Sequence, residues 1–309
     1  MKKIFIDGSA GTTGLRIADR LAERNDIELI KLSEDKRKDP EARKEALNRC
    51  DVAFLCLPDP AAIESVGLIE NSDTVVIDTS TAHRTNEGWC YGFPELSDDI
   101  KHKIPTSKRI AVPGCHASGF ISLVYPLIEA GILSPDVKLT CHSITGYSGG
   151  GKKMIAEYEE EDRDLLLDAP RQYGLTQQHK HLKEMKRITG LESEPIFCPI
   201  VSDFYSGMTV TVPLFATDLK QGTVNDIKEI YKNKYNGNIV KYVDAEELGG
   251  FISAHNMARK DSMRVTVCGN DDRILLVAMY DNLGKGASGA ALECLNYVLG
   301  VSPETGLEL

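Results

Sequence analysis

The stretch Lys3–Gly14, "KIFIDGSAGTTG", decides the fold. Lys3-Ile4-Phe5-Ile6-Asp7 is a short apolar run that stops at a glycine, and Gly8, Gly11 and Gly14 then follow in a G-x-x-G-x-x-G pattern. A helical pattern runs from Leu15 to Arg24, with Leu15, Ala18, Leu21 and Ala22 on one face. Ile27–Leu32 reads as a second strand, which completes a βαβ unit. Glycines at such a turn let the backbone approach a ligand closely. The helix N-terminus then offers N–H groups and a positive dipole end to a pyrophosphate. The glycine pattern alone is a weak signal; its place between a strand and a helix gives it meaning. Gly8, Ser9, Gly11, Thr12, Thr13 and Gly14 are therefore expected to bind a dinucleotide. The second strand should end near the adenosine ribose, where acidic residues favour NAD and basic ones the 2′-phosphate of NADP. The chain reads Ser33-Glu34-Asp35-Lys36-Arg37-Lys38 there. Both signs are present, and Ser33, Lys36, Arg37 and Lys38 lean toward NADP.

Working outward, Asp51–Leu57, Thr74–Asp78 and Arg109–Val112 read as further strands, separated by helical segments. Continuous apolar strands alternating with helices imply a parallel sheet covered on both faces. After Phe120 the texture changes. Val137–Ile144 and Met208–Ala216 look like longer, partly alternating strands, and Arg264–Gly269 with Arg273–Met279 reads as a hairpin around Asn270-Asp271-Asp272. Gly222–Tyr235 and Gly286–Leu299 read as helices. The expected fold class is α/β: a Rossmann-type dinucleotide-binding domain (1–115 and 285–309) plus an α+β catalytic and oligomerisation domain with a mixed or antiparallel sheet (116–284).

Composition narrows the function classes. A net charge of −10 over 309 residues argues against a general nucleic-acid binder, which must neutralise phosphates. No apolar run is long enough to span a membrane. The segment before Gly8 is too short for a secretion signal. The eight cysteines are scattered without a C-x-x-C pair, so reduced thiols in the cytoplasm, most of them in the core, and no metal are expected.

Cys115 stands apart from the other cysteines. It lies in "VPGCHASGF", Val112–Phe120, between Pro-Gly punctuation and an apolar helical pattern. A thiol at a helix N-terminus is activated, because the dipole favours the thiolate. A thiolate working with a nicotinamide points to acyl transfer linked to hydride transfer. Such chemistry needs an acid–base group. His179 and His181, in "YGLTQQHKHLKE" from Tyr173 to Glu184, supply two imidazoles. Alternate residues share a side on an extended segment and diverge on a helix; either could be the base, with the other a pocket wall. Gly146–Lys153, "GYSGGGKK", is a second glycine-rich loop that can bind an anion, with Lys152 supplying charge. Arg84, after a strand, is a candidate phosphate or carboxylate ligand. Asn282, in "DNLGKGASG", is a candidate for hydrogen-bonding a carboxamide.

Together "PGCHASG", "GYSGGGKK", "YGLTQQHKH" and "DNLGKGASGAA" resemble the N-acetyl-gamma-glutamyl-phosphate reductase family, in its shorter subtype, within the aspartate-semialdehyde dehydrogenase superfamily. The resemblance covers essentially the whole chain. It implies NADPH-dependent reduction of an acyl phosphate, N-acetyl-L-glutamyl 5-phosphate, to the semialdehyde in arginine biosynthesis, by a homo-oligomer (dimer or tetramer). It implies that Cys115 is the nucleophile and His181 the acid–base residue. Tyr173, His179, Glu184, Ser148, Gly149 and Lys152 then surround the substrate. The nearest alternatives are an aspartate-semialdehyde dehydrogenase-like reductase of another acyl phosphate and a non-catalytic nucleotide-sensing protein.

Overall fold

The computed structural model describes all 309 residues. The chain divides into two compact units, Met1–Pro113 with Ala290–Leu307, and Gly114–Gly289 with Glu308–Leu309.

The first unit contains β1 (Lys2–Asp7), α1 (Thr12–Ala22), β2 (Ile27–Ile30), α2 (Pro40–Arg49), β3 (Val52–Leu55), α3 (Asp59–Gly67), β4 (Val75–Asp78), β5 (Cys90–Tyr91), α4 (Asp98–Lys103) and β6 (Arg109–Ala111). Its sheet runs β2-β1-β3-β4-β6-β5, and every pairing is parallel. All four residues of β3 are buried, as a central parallel strand covered on both faces requires. One face carries Ile4, Ile17, Leu21, Phe54, Ile110, Ala291 and Leu295, and the other Phe5, Leu47, Ala53 and Val76. Each fully buried large apolar side chain contributes about 1.5–3 kcal/mol. Helix α1 starts at Thr12, three residues before the expected Leu15, and buries Gly14, Ile17 and Leu21. Leu15, expected on the buried face, is exposed. The glycine turn is shorter than its pattern, so the third glycine lies inside the first helical turn and the buried face rotates with it.

The second unit contains α5 (Cys115–Glu129), β7 (Thr140–Gly146), α6 (Gly151–Glu159), β8 (Arg171–Gln172), α7 (Lys180–Thr189), β9 (Ile196–Ser202), β10 (Met208–Phe215), α8 (Val224–Lys234), β11 (Val240–Tyr242), β12 (Met263–Gly269) and β13 (Arg273–Tyr280). A π-helical turn, Gly284–Ser288, precedes α9 (Gly289–Leu299). The sheet order is β11-β12-β13-β10-β7-β9-β8, with β7/β9 and β11/β12 parallel and the other pairs antiparallel. The expected mixed sheet is therefore present. The β12–β13 hairpin falls where its turn placed it, and Asn270 Oδ1 accepts from the N–H groups of Asp272 and Arg273. Helix α5 packs on β10 and β13 along one face of the sheet. The other face exposes Ile144, Ile196, Phe215 and Leu275, whose registers place them on one side.

Candidate active site

In the first unit, β1 and β3 are neighbours at the point where strand order reverses, which is where α/β sheets bind nucleotides. Gly8 leaves β1 at φ +87°, and a Cβ there would stand 2.3 Å from the Cys56 carbonyl oxygen. No side chain fits that position. The Gly11 N–H closes the turn on the Gly8 carbonyl at 3.0 Å. Helix α1 opens at Gly11 with no side-chain cap, which leaves its first turn suited to an anion. A cavity of about 270 Å³ lies alongside, lined by Gly8, Ser9, Leu15, Ala18, Leu32 and Arg37 among others. Leu15 and Ala18 both line this cavity, which accounts for the exposed Leu15, while Ala18 also packs against the core. Thr12 and Thr13 form the first turn of α1. Ser33 and Lys36 lie outside the cavity lining; Ser33 instead hydrogen-bonds Asp35, which is the main reason the Asp35 carboxyl is held below the usual range. Asp7 also lines the cavity, where a carboxylate would repel phosphate. Arg43 answers it with Nε and Nη2 at 3.1–3.3 Å, and Ser65 donates to it at 2.8 Å. The glycine cradle, the uncapped helix and the cationic far wall fit a phosphorylated dinucleotide.

Arg84 is also in this unit, and it is buried. Its Nε donates to the Val112 carbonyl at 2.8 Å and its Nη2 to the Thr79 carbonyl at 2.9 Å, tying together the segments that leave β6 and β4. Beside it, His83 Nδ1 meets Asp78 Oδ2 at 2.6 Å, and the His83 ring stacks on Trp89.

In the second unit, Cys115 is the first residue of α5, and the N-cap, Gly114, provides no side-chain cap. Glu184 Oε1, from α7, accepts from the Gly114 N–H at 2.8 Å. The residue expected against substrate thus holds the turn that carries the thiol. On another side Gly286 approaches so closely that a Cβ there would lie 3.1 Å from the Cys115 Cβ.

His179 is the N-cap of α7, and its Nδ1 accepts from the His181 N–H at 3.2 Å. The two rings therefore converge, with centroids 4.7 Å apart, although α7 begins between them. The extended geometry of a cap residue keeps them together where a continuous helix would separate them. Both rings pack on His116, at 5.6 Å for His181 and 5.8 Å for His179. Tyr173 closes the group: its hydroxyl is 2.6 Å from His116 Nε2, while His116 Nδ1 is 2.6 Å from Ser143 Oγ. Burial, helped by His179, pushes His116 down to about 3, so its ring is neutral at ordinary pH. Burial, with Cys115 nearby, pushes the Tyr173 hydroxyl up. A protonated phenol donating to Nε2 leaves the ring proton on Nδ1, directed at Ser143.

The structure places Cys115, Tyr173, His179, His181 and Glu184 around one helix start. Ser148 and Gly149 lie in the turn before α6, and Lys152 is exposed in its first helical turn. Asn282, also expected to bind cofactor, belongs to this second unit. Its Nδ2 donates to Ser148 Oγ at 3.0 Å, and its Oδ1 accepts from the Gly207 N–H at 2.9 Å. Its amide orders the Ser148 turn.

Residues 3–103 match the semialdehyde dehydrogenase NAD-binding domain, and residues 115–282 match the semialdehyde dehydrogenase dimerisation domain. N-acetyl-gamma-glutamyl-phosphate reductase 2 of Nostoc sp. is 44% identical over 99% of both chains. The reductase of Chelativorans sp. is 46% identical over 96% of this chain and 98% of its own. The chain belongs to the N-acetyl-gamma-glutamyl-phosphate reductase family. Solved aspartate semialdehyde dehydrogenases share the fold at low identity. The Vibrio cholerae enzyme II, complexed with ASA, has a TM-score of 0.72 at 13% identity, covering 97% of this chain and 98% of its own. The Candida albicans enzyme with NADP has 0.68 at 17%, covering 97% and 99%.

Sequence reasoning missed several residues around the thiol of this reductase-family chain. His116 lies beside Cys115, but the Ser143 hydroxyl that meets its Nδ1 is 27 residues away. Tyr280, at the end of β13, hydrogen-bonds the Cys115 carbonyl across 165 residues. No local pattern marks such pairs. The other seven cysteines are unremarkable: none is in a disulfide, and burial pushes the Cys50 thiol up to about 12. Cys50, Cys141 and Cys294 are buried, Cys56, Cys90 and Cys268 are half-buried against core clusters, and Cys198 is half-buried.

Proposed function

We propose that this chain catalyses the NADPH-dependent reduction of N-acetyl-L-glutamyl 5-phosphate to N-acetyl-L-glutamate 5-semialdehyde and phosphate, a step of arginine biosynthesis. The observation that carries the reading is Cys115 at the uncapped start of α5, beside an imidazole pair held by His116.

The Cys115 sulfur attacks the acyl carbon, the C–O bond to phosphate breaks, and a thioester remains on Cys115. NADPH, when bound by Gly8–Gly14 and Arg37, supplies the hydride. His181 gives a proton to the oxygen of the resulting thiohemiacetal, then takes it back as the C–S bond breaks and the aldehyde leaves. His116 and Tyr173 fix the floor against which His179 and His181 pack. Ser148, Gly149 and Lys152 hold the anionic ends of the substrate, with Asn282 ordering that turn. Arg84 holds the Val112 and Thr79 carbonyls of the first unit.

Purified protein should oxidise NADPH with N-acetylglutamyl phosphate and far more slowly with aspartyl phosphate. The reverse preference would move the substrate to the smaller amino acid, and no turnover with either would favour a binding protein. Arg37→Ala should raise the KM for NADPH about tenfold or more, the loss of one charge-assisted hydrogen bond, with kcat nearly unchanged. An equal KM for NADPH in the variant would remove Arg37 from the 2′-phosphate site.

The residues matched to a dimerisation domain include the sheet face that exposes Ile144, Ile196, Phe215 and Leu275. A second copy of this chain covers that face in our reading. Ile196 is 61% exposed. Ile196→Asp should shift the protein toward monomer in light scattering, and an unchanged mass would place the interface elsewhere. No helix is long and apolar enough to cross a membrane. The free thiols suit the cytoplasm, where the enzyme would work.

A further inference from the structure

We propose that the Tyr280 hydroxyl is a positioning group for Cys115, set against the first turn of α5 so that it fixes where the sulfur points. The inference rests on the reading of Cys115 as nucleophile.

Tyr280 is the last residue of β13 and is fully buried. Its hydroxyl donates to the Cys115 carbonyl at 2.5 Å and accepts from the Gly119 N–H at 3.0 Å. Those two backbone groups are four residues apart, the pair an α-helix joins directly. The hydroxyl therefore braces both members of the pair that closes the first turn of α5, which stays helical from Cys115 onward. Gly119 is what admits it: a Cβ at that position would stand 2.6 Å from the Tyr280 hydroxyl. Burial holds the phenol well above its ordinary range, so the proton it donates to Cys115 stays in place. On the other side of the same residue, Glu184 holds the Gly114 N–H. Cys115 is thus gripped through the backbone before it by a carboxylate from α7 and through its own carbonyl by a phenol from β13. An exposed helix start would fray; this one is fixed from two elements of the same unit.

Tyr280→Phe removes one oxygen and keeps the ring. The Cys115 carbonyl and Gly119 N–H then lose the group that braces them, the first turn is free to shift, and the sulfur leaves its fixed position. Misplacement of a reacting group by about 1 Å costs up to about a hundredfold in rate, so kcat should fall about ten- to a hundredfold while KM changes less than about threefold. The rate at which iodoacetamide alkylates Cys115 at fixed pH, followed on the Cys115 peptide by mass spectrometry, should fall with it. A merely structural tyrosine would lower the melting temperature without slowing alkylation of the folded protein. Replacement of Tyr280 by 4-fluorophenylalanine is the second variant: it fills the space of the hydroxyl without a proton to donate, and it should reproduce both losses if Tyr280→Phe folds poorly. Normal kcat in folded Tyr280→Phe overturns the inference. So does a fall in kcat with an alkylation rate unchanged or faster, because the hydroxyl would then serve something other than the sulfur. Cys115→Ser separates this from the functional reading. Turnover surviving in Cys115→Ser removes the nucleophile itself, whereas a dead Cys115→Ser beside a normal Tyr280→Phe removes only the role of Tyr280.

Discussion

Cys115→Ser lowers kcat by at least about ten-thousandfold, a loss of about 5.5 kcal/mol of transition-state stabilisation, while the protein folds and binds NADPH as before. The reason is chemical. A serine hydroxyl loses its proton far less readily than a thiol and is not brought to its anion by a helix end, so it is a much weaker nucleophile at the start of α5. The Gly114 N–H still reaches Glu184 and the residue-115 carbonyl still reaches Tyr280, because both contacts are made by backbone. Dinucleotide binding belongs to residues of the first unit and should be untouched. Steady-state rates together with a binding titration check this, and activity within tenfold of the parent protein would sink a covalent mechanism at this cysteine.

His181→Asn lowers kcat by about a hundred- to ten-thousandfold with a small change in KM, the usual contribution of a general acid–base group. His179 provides the contrast. Its Nδ1 caps α7, and asparagine is among the best N-cap residues, so His179→Asn removes the ring while keeping the cap. That variant should act mainly on KM. His179→Ala would also lose the cap, about 1 kcal/mol of stability. Kinetics on the two asparagine variants decide the roles. A larger kcat loss in His179→Asn reverses them, and no substantial loss in either sends the proton to another group.

Much of this was legible in the chain because it is local. Lys3–Gly14 contains its strand, turn and helix within a dozen residues, and the structure keeps all three. The Asn270 turn fixed a hairpin for the same reason. What escaped was either too short or too distant. Strands β5 and β8 are two residues each, below any period that a sequence displays. The face of α1 was misjudged because its apolar residues serve both a core and a ligand cavity, and periodicity does not distinguish the two. Within the site, the thiol and the histidine pair stand out by residue type. The network that holds them does not: Ser143 joins His116 from β7, and Tyr280 joins Cys115 from β13. These are ordinary core strands in sequence, and their polar groups acquire a role only when the sheet brings them to the start of α5. Arg84 and Asn282 show the converse. Both read as ligand contacts by type and position, and the structure adds that each also holds neighbouring protein groups, which no local pattern announces.

The most direct test of the central claim runs the reaction backward and withholds phosphate. N-acetylglutamate 5-semialdehyde and NADP are mixed with the protein, so that the aldehyde adds to Cys115, hydride leaves, and the thioester has no phosphate to receive its acyl group. A burst of one NADPH per chain should appear, with an N-acetylglutamyl group on the peptide that contains Cys115, and added phosphate should release that group and restart turnover. No burst, or an acyl group absent from Cys115, would contradict the mechanism.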